Sequence, residues 1–130
     1  MVADTSALVA VLLREPTADR LTGALDQATV IRCSAVSLVE AAMVMQGRLG
    51  ERGERELDLL AARLRIEIVP VTVEQAEVAR SAFRRFGKGR HPAGLNFGDC
   101  FSYALARALG EPLLFVGNDF SQTDVQVAPY

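Results

Sequence analysis

Four short, mostly apolar runs stand apart along the chain: "MVAD" at the start, the β-branched "VIRC" (30–33), "IEIVPV" (66–71) and "LLFVG" (113–117). Helix-length stretches separate them, so neighbouring runs cannot pair through tight hairpins. They need crossover connections, and crossovers build a mostly parallel sheet with helices on both faces. The intervening segments have helical patterning. "TSALVAVLLRE" is apolar almost all round, and "ADRLTGALDQA" is amphipathic after Pro16 and Thr17. "SLVEAAMVMQGRLG" and "ERELDLLAARLR" follow, and "TVEQ" opens another helix with Thr72 and Gln75 at capping-box spacing. A long Gly-rich loop, "FGKGRHPAGLNFG", precedes the helix after Asp99, and "VQVA" near the C-terminus suits an edge strand. Half of the 130 residues are hydrophobic, and no repeat or linker divides them. The expectation is a single α/β domain over residues 1–130 with one substantial core.

Parallel sheets of this kind place ligands in the crevice beyond the strand C-termini. Four acids are candidates for that edge, and each also has a purely structural role open to it. Asp4 ends the first strand and opens "DTS", where it could cap the next helix. Glu40 lies three residues after Ser37, again capping-box spacing, yet Met43 and Val44 put its side chain on an apolar face. Asp99 stands where the Gly-rich loop becomes a helix, and Gly94 and Gly98 leave room there for another backbone or a ligand. Asp119, in "VGNDF", follows a strand and could be a plain turn residue.

Taken together, they point to one place. Asp4, Glu40 and Asp119 all follow predicted strands, and Asp99 starts a helix whose N-terminus should face the same edge. Four carboxylates in one crevice repel one another unless they are protonated or neutralised by a divalent ion. Oxygen donors without a nearby His suit Mg²⁺, with Mn²⁺ as a substitute, rather than zinc.

Charge distribution adds a partner. The net charge is −2, which argues against a general nucleic-acid coat. However, "RSAFRRFGKGRH" (80–91) holds Arg80, Arg84, Arg85, Lys88 and Arg90 with no acid among them, and Arg84, Arg85, Lys88 and Arg90 are candidates for contact with an RNA backbone. A carboxylate-held metal beside a basic loop is the equipment of phosphodiester hydrolysis. Other chemistries fit poorly. "GKGR" lacks the P-loop spacing, and there is no G-x-S-x-G elbow for a serine hydrolase. His91, the only histidine, has no evident nucleophile or metal partner. A phospho-accepting receiver domain would use a Lys after a late strand, whereas the only Lys is Lys88. Cys33 and Cys100 have no CxxC or zinc-type spacing and read as reduced core thiols. No apolar run approaches a membrane span, and no basic region precedes a signal-like stretch, so the expected location is the cytoplasm without membrane attachment.

The segments "VADTSALVAVL", "SAVSLVEAAMV", "GKGRHPAGLNFGDCFSYALA" and "LLFVGNDFSQTD" resemble, in order and over nearly the whole chain, the PIN-domain family. More narrowly they resemble the VapC toxins of bacterial toxin–antitoxin pairs. The resemblance implies a Mg²⁺-dependent endoribonuclease with a parallel sheet between helices. It implies a metal held by Asp4, Glu40, Asp99 and Asp119. Asp4 and Asp99 would be direct ligands, Asp119 a ligand directly or through water, and Glu40 a ligand or a water-orienting base. Ser6 matches the small polar position beside the first acid and would hydrogen-bond it, while Asn96 would contact metal water or substrate. The family further implies a homodimer inhibited by a cognate VapB-type antitoxin, whose tail often brings an Arg to the carboxylates.

Two other functions are consistent with the same residues. One is a PIN-type RNA-processing nuclease outside any toxin pair, which lacks an adjacent antitoxin gene. The other is a non-catalytic module that acts with its antitoxin as a repressor. Carboxylate crowding carries its own expectation: Asp4→Asn or Asp99→Asn should stabilise the metal-free protein while weakening metal binding.

Overall fold

The structure is a computed structural model that describes residues 1–130. The chain runs β1 (Val2–Ala3), α1 (Thr5–Leu12), α2 (Ala18–Gln27), β2 (Arg32–Ser34), α3 (Ala35–Leu49) and α4 (Glu51–Arg63). It continues as β3 (Glu67–Val69), α5 (Val73–Phe86), α6 (Phe97–Leu109) and β4 (Leu113–Leu114), with a single 3₁₀ turn at Phe120–Gln122. The four strands form one sheet in the order β3-β2-β1-β4, and every pairing is parallel.

Successive strand residues point to opposite faces, and this alternation divides the core in two. Val2, Leu113 and Phe115 pack with α5 and α6, around Ala82, Leu95, Tyr103 and Leu105. Ala3, Cys33 and Leu114 pack on the other side with α1, α2 and α4, around Leu8, Leu21, Leu25 and Leu60. Helices therefore cover both faces, as the alternating pattern predicts. No helix is long and apolar enough to cross a membrane.

The strands are shorter than their apolar runs. "IEIVPV" pairs only over Glu67–Val69 and stops at Pro70, which has no N–H for the ladder. "LLFVG" pairs only at Leu113–Leu114. The expected edge strand at "VQVA" is reduced to a single parallel bridge between Val127 and Leu113, and Pro129 ends it. Both cysteines are free and buried. Burial pushes the Cys33 thiol up to about 12 and Cys100 to about 11, so both stay protonated.

The topology fixes where a ligand can sit. From β1 the chain steps to β2 and then β3 on one side, whereas β4 returns to the other side of β1. The switch point therefore lies between β1 and β4, at their C-terminal ends. Asp4 follows β1 directly, and Asp119 comes five residues after β4.

Candidate metal centre

Asp4, Glu40, Asp99 and Asp119 line one cleft of about 370 Å³, together with Ser6, Asn96, Thr5, Val9, Val44, Val116 and Phe120. Asp4 and Asp99 are buried, at 2% and 9% exposure, Glu40 is half-buried and Asp119 is exposed. No Lys, Arg or His borders the cleft. The chain's ion pairs, such as Arg32–Glu67, Arg63–Asp26 and Arg85–Asp124, lie elsewhere and leave these four acids without a cation.

Each acid is held in a different way. Asp4 caps α1, its Oδ2 accepting from the Ser6 backbone N–H at 2.9 Å and from the Ser6 hydroxyl at 2.7 Å. Ser6 Oγ in turn accepts from the Val116 N–H at 3.0 Å, tying α1 to the segment after β4 across the switch point. The other Asp4 oxygen, Oδ1, accepts from the Ser102 hydroxyl at 2.6 Å. Ser102 Oγ lies 2.8 Å from Ser37 Oγ. Ser102 has one proton and gives it to Asp4, so Ser37 must be the donor between the two hydroxyls. A directed relay from α3 through α6 thus ends on Asp4, and all of its members are buried.

At Asp99 the helix cap belongs to Asn96. The Asn96 side chain accepts from the Asp99 N–H, and the Asn96 N–H donates to Asp99 Oδ2, both at 2.9 Å. This reciprocal box fixes one carboxylate oxygen and leaves the other toward the cleft. Asn96 is therefore committed first to holding Asp99. Ser34 rather than Ser37 caps α3, so Ser37 and Glu40 form no capping box. None of the chain's side-chain hydrogen bonds or ion pairs involves Glu40.

The electrostatic consequence appears at Asp99. Burial raises its carboxyl to about 7, and the Asp4, Asp119 and Glu40 charges push the same way against the Asn96 hydrogen bond. A group whose acidity is lowered by burial and by like charges is one that a divalent cation would relieve. As placed, no three acid, His or Cys side chains meet around one point. Mg²⁺ does not require that, because it keeps several waters and takes only one or two carboxylates directly. The all-oxygen donor set without an opposing charge fits Mg²⁺ or Mn²⁺.

The basic residues stand apart from this cleft. Arg85 donates to Asp124 at 3.1 Å and lies 3.5 Å from the Tyr103 hydroxyl, which itself donates to Asp124 at 2.6 Å. These contacts hold the Asp124 carboxyl below the usual carboxylate range, and Arg85 serves to bind α5 and α6 to the C-terminal segment. The Arg90 guanidinium sits over the Phe83 ring at 5.6 Å. Arg84 lines a neighbouring apolar groove with Phe83, Phe97 and Phe101, and Lys88 is exposed. His91 accepts from the Ala93 N–H and packs edge-on against Phe86, which shapes the loop.

Local sequence pattern does not mark Ser37 and Ser102 as supports of Asp4. The available signal is Ser102 itself, the one serine inside the largely apolar stretch "CFSYALA", three residues past Asp99. Gly98 signals open space in the sequence, and in the fold Glu40 occupies it.

A family model described as "PIN domain" matches residues 1–126. A protein named "Ribonuclease VapC" from Mycolicibacterium smegmatis is 55% identical over 125 residues, covering 96% of this chain and 97% of that one. "Ribonuclease VapC30" of Mycobacterium tuberculosis is 52% identical, covering 96% and 95%. Among solved structures, M. tuberculosis VapC20, described as a sarcin-ricin loop cleaving toxin, superposes with a TM-score of 0.79 at 23% identity over 98% of each chain. Rickettsia felis VapBC2, bound to a DNA fragment from its promoter, gives 0.72 at 17% identity over 97% of this chain and 94% of that one. At those identities the structural likeness is one of fold.

Proposed function

Since the chain belongs to the PIN-domain family, among its VapC ribonucleases, we propose that it is a Mg²⁺-dependent endoribonuclease and the toxin of a toxin–antitoxin pair. The observation that carries this reading is the cleft at the β1/β4 switch point: four acids, no cation, and one carboxyl raised to about 7 by burial and, to a lesser degree, by its acidic neighbours. Such a site repels an RNA phosphate until a cation occupies it. Asp4 and Asp99 would hold the ion most directly, with Asp119 and Glu40 completing the acidic wall. When bound, the ion supplies Lewis acidity that activates water and offsets charge on the phosphate. The chain's own contribution is positioning. Ser6 and Ser102 fix both oxygens of Asp4, and Asn96 fixes one oxygen of Asp99.

Arg84, Lys88 and Arg90, exposed on and after the end of α5, are suited to hold the flanking RNA backbone. Arg85 takes part only by exchanging Asp124 for phosphate. Val39, Met43 and Phe97 are exposed at 58%, 69% and 74% beside Glu40, which supports a protein contact there, whether a second copy of the chain or a VapB-type antitoxin. An Arg from the antitoxin would satisfy the same carboxylates as the metal and so inhibit the enzyme.

The test is the chemistry of the cut ends. Water attack on a phosphodiester leaves a phosphomonoester on one fragment and a hydroxyl on the other. Attack by the neighbouring 2′-hydroxyl leaves a 2′,3′-cyclic phosphate instead. End-mapping of cellular RNA after controlled expression should give hydrolytic ends at discrete positions and no cyclic phosphate. Cyclic ends, or unchanged RNA once the chain is free of antitoxin, would remove this reading.

A further inference from the structure

Gly98 is buried in the first turn of α6, between Phe97 and Asp99. Its backbone is helical, so no unusual φ demands glycine there. Glycine is also a poor helix former compared with alanine. The reason for it is steric. A methyl group at Gly98 would stand 2.6 Å from Glu40 Cδ and 2.7 Å from Oε1, and closer still to Oε2. Glu40 arrives from α3 and makes no hydrogen bond or ion pair of its own. The open face of Gly98 is therefore what admits its carboxylate to the cleft.

Other glycines of the chain do different work. At Gly53 and Gly87 an added methyl would collide with the backbone oxygens of Met45 and Phe83, which cannot yield without moving a helix. At Gly98 the obstacle is only the tip of a flexible side chain. An added methyl would move Glu40 and leave the fold intact.

We propose that Gly98 is a positioning residue for Glu40: its missing side chain is the space through which α3 delivers an acid to the metal centre on α6. This inference rests on the reading of the cleft as a metal site. It assigns to Gly98 a role that acts only through Glu40.

The test is a double-mutant cycle on Gly98→Ala and Glu40→Ala in the full chain, read by Mn²⁺ affinity and by thermal melting without metal. Gly98→Ala should melt at or above the wild-type temperature, because alanine favours the helix. It should nonetheless bind Mn²⁺ about 10- to 100-fold more weakly, the usual cost of disturbing the supports of a metal site. In the Glu40→Ala background the same substitution should change Mn²⁺ affinity no further. A lower melting temperature for Gly98→Ala, repeated in that background, would mark a packing role and overturn the inference. So would wild-type Mn²⁺ binding by Gly98→Ala when Glu40→Ala binds weakly. Wild-type binding by Glu40→Ala itself would overturn both the inference and the place of Glu40 in the metal centre.

Discussion

Asp99→Asn should make the metal-free protein more stable above pH 7 while reducing RNA cleavage by about a hundredfold or more. The stability gain follows from the raised carboxyl, which moves from 3.8 in the unfolded chain to about 7 in the fold. Between those values the folded chain keeps a proton that the unfolded chain has released. Wild-type stability therefore falls as pH rises from about 4 to 7 and levels off above. An asparagine does not titrate, so the variant should lack this slope. Its amide oxygen can still accept from the Asn96 N–H, and its NH₂ can face the remaining acids. Urea denaturation of metal-free protein across pH 4 to 8 reads the difference. The lost cleavage follows from removing a direct carboxylate from an ion whose charge stabilisation is worth several kcal/mol, with about 1.4 kcal/mol per tenfold in rate.

Asp4→Asn should abolish cleavage to a similar degree but shift stability the other way. Crowding alone predicts the same gain at both acids, and the hydrogen bonds around Asp4 reverse it. Oδ2 faces two donors from Ser6, and Oδ1 faces the Ser102 hydroxyl. An amide offers only one acceptor oxygen, and the Ser6 backbone N–H cannot turn away. The NH₂ must then meet Ser102, which has to reverse its proton toward Ser37 and leave the Ser37 proton without its partner in a buried site. Such a mismatch costs about 1 to 3 kcal/mol. Metal-free Asp4→Asn should therefore melt below wild type and Asp99→Asn above it. Both substitutions lowering stability equally would mean that repulsion among the carboxylates contributes nothing to the stability of the metal-free chain.

Much of this arrangement is legible from local pattern. The four short apolar runs mark the four strands, and helix-length spacing requires their parallel pairing. Asp4 and Asp119 follow strands, so the switch-point rule leads to their cleft without knowledge of contacts. The chain lies among VapC ribonucleases, in agreement with the blocks around Asp4, Glu40, Asp99 and Asp119.

What local pattern does not carry is the identity of distant partners. Ser37 and Glu40 have capping-box spacing, yet Ser34 leaves β2 already in position to cap α3, which frees Ser37 to meet Ser102 65 residues away. Arg85 sits in a basic run, but its partner Asp124 lies 39 residues on. Gly98 signals open space, whereas only the packing of α3 against α6 shows that Glu40 fills it. Strand length fails for the same reason, since a run such as "LLFVG" stops pairing where its neighbour β1 ends after two residues.

The most direct test uses purified chain, freed of any antitoxin and stripped with EDTA, incubated with cellular RNA before and after Mg²⁺ or Mn²⁺ is restored. Asp99→Asn and His91→Ala are run beside it. Cleavage should appear only with metal, fall about a hundredfold or more in Asp99→Asn and persist in His91→Ala, whose imidazole only shapes the loop. Cleavage that survives EDTA or keeps its wild-type rate in Asp99→Asn, or the absence of any cleavage with metal present, would contradict a metal-dependent nuclease built on these four acids.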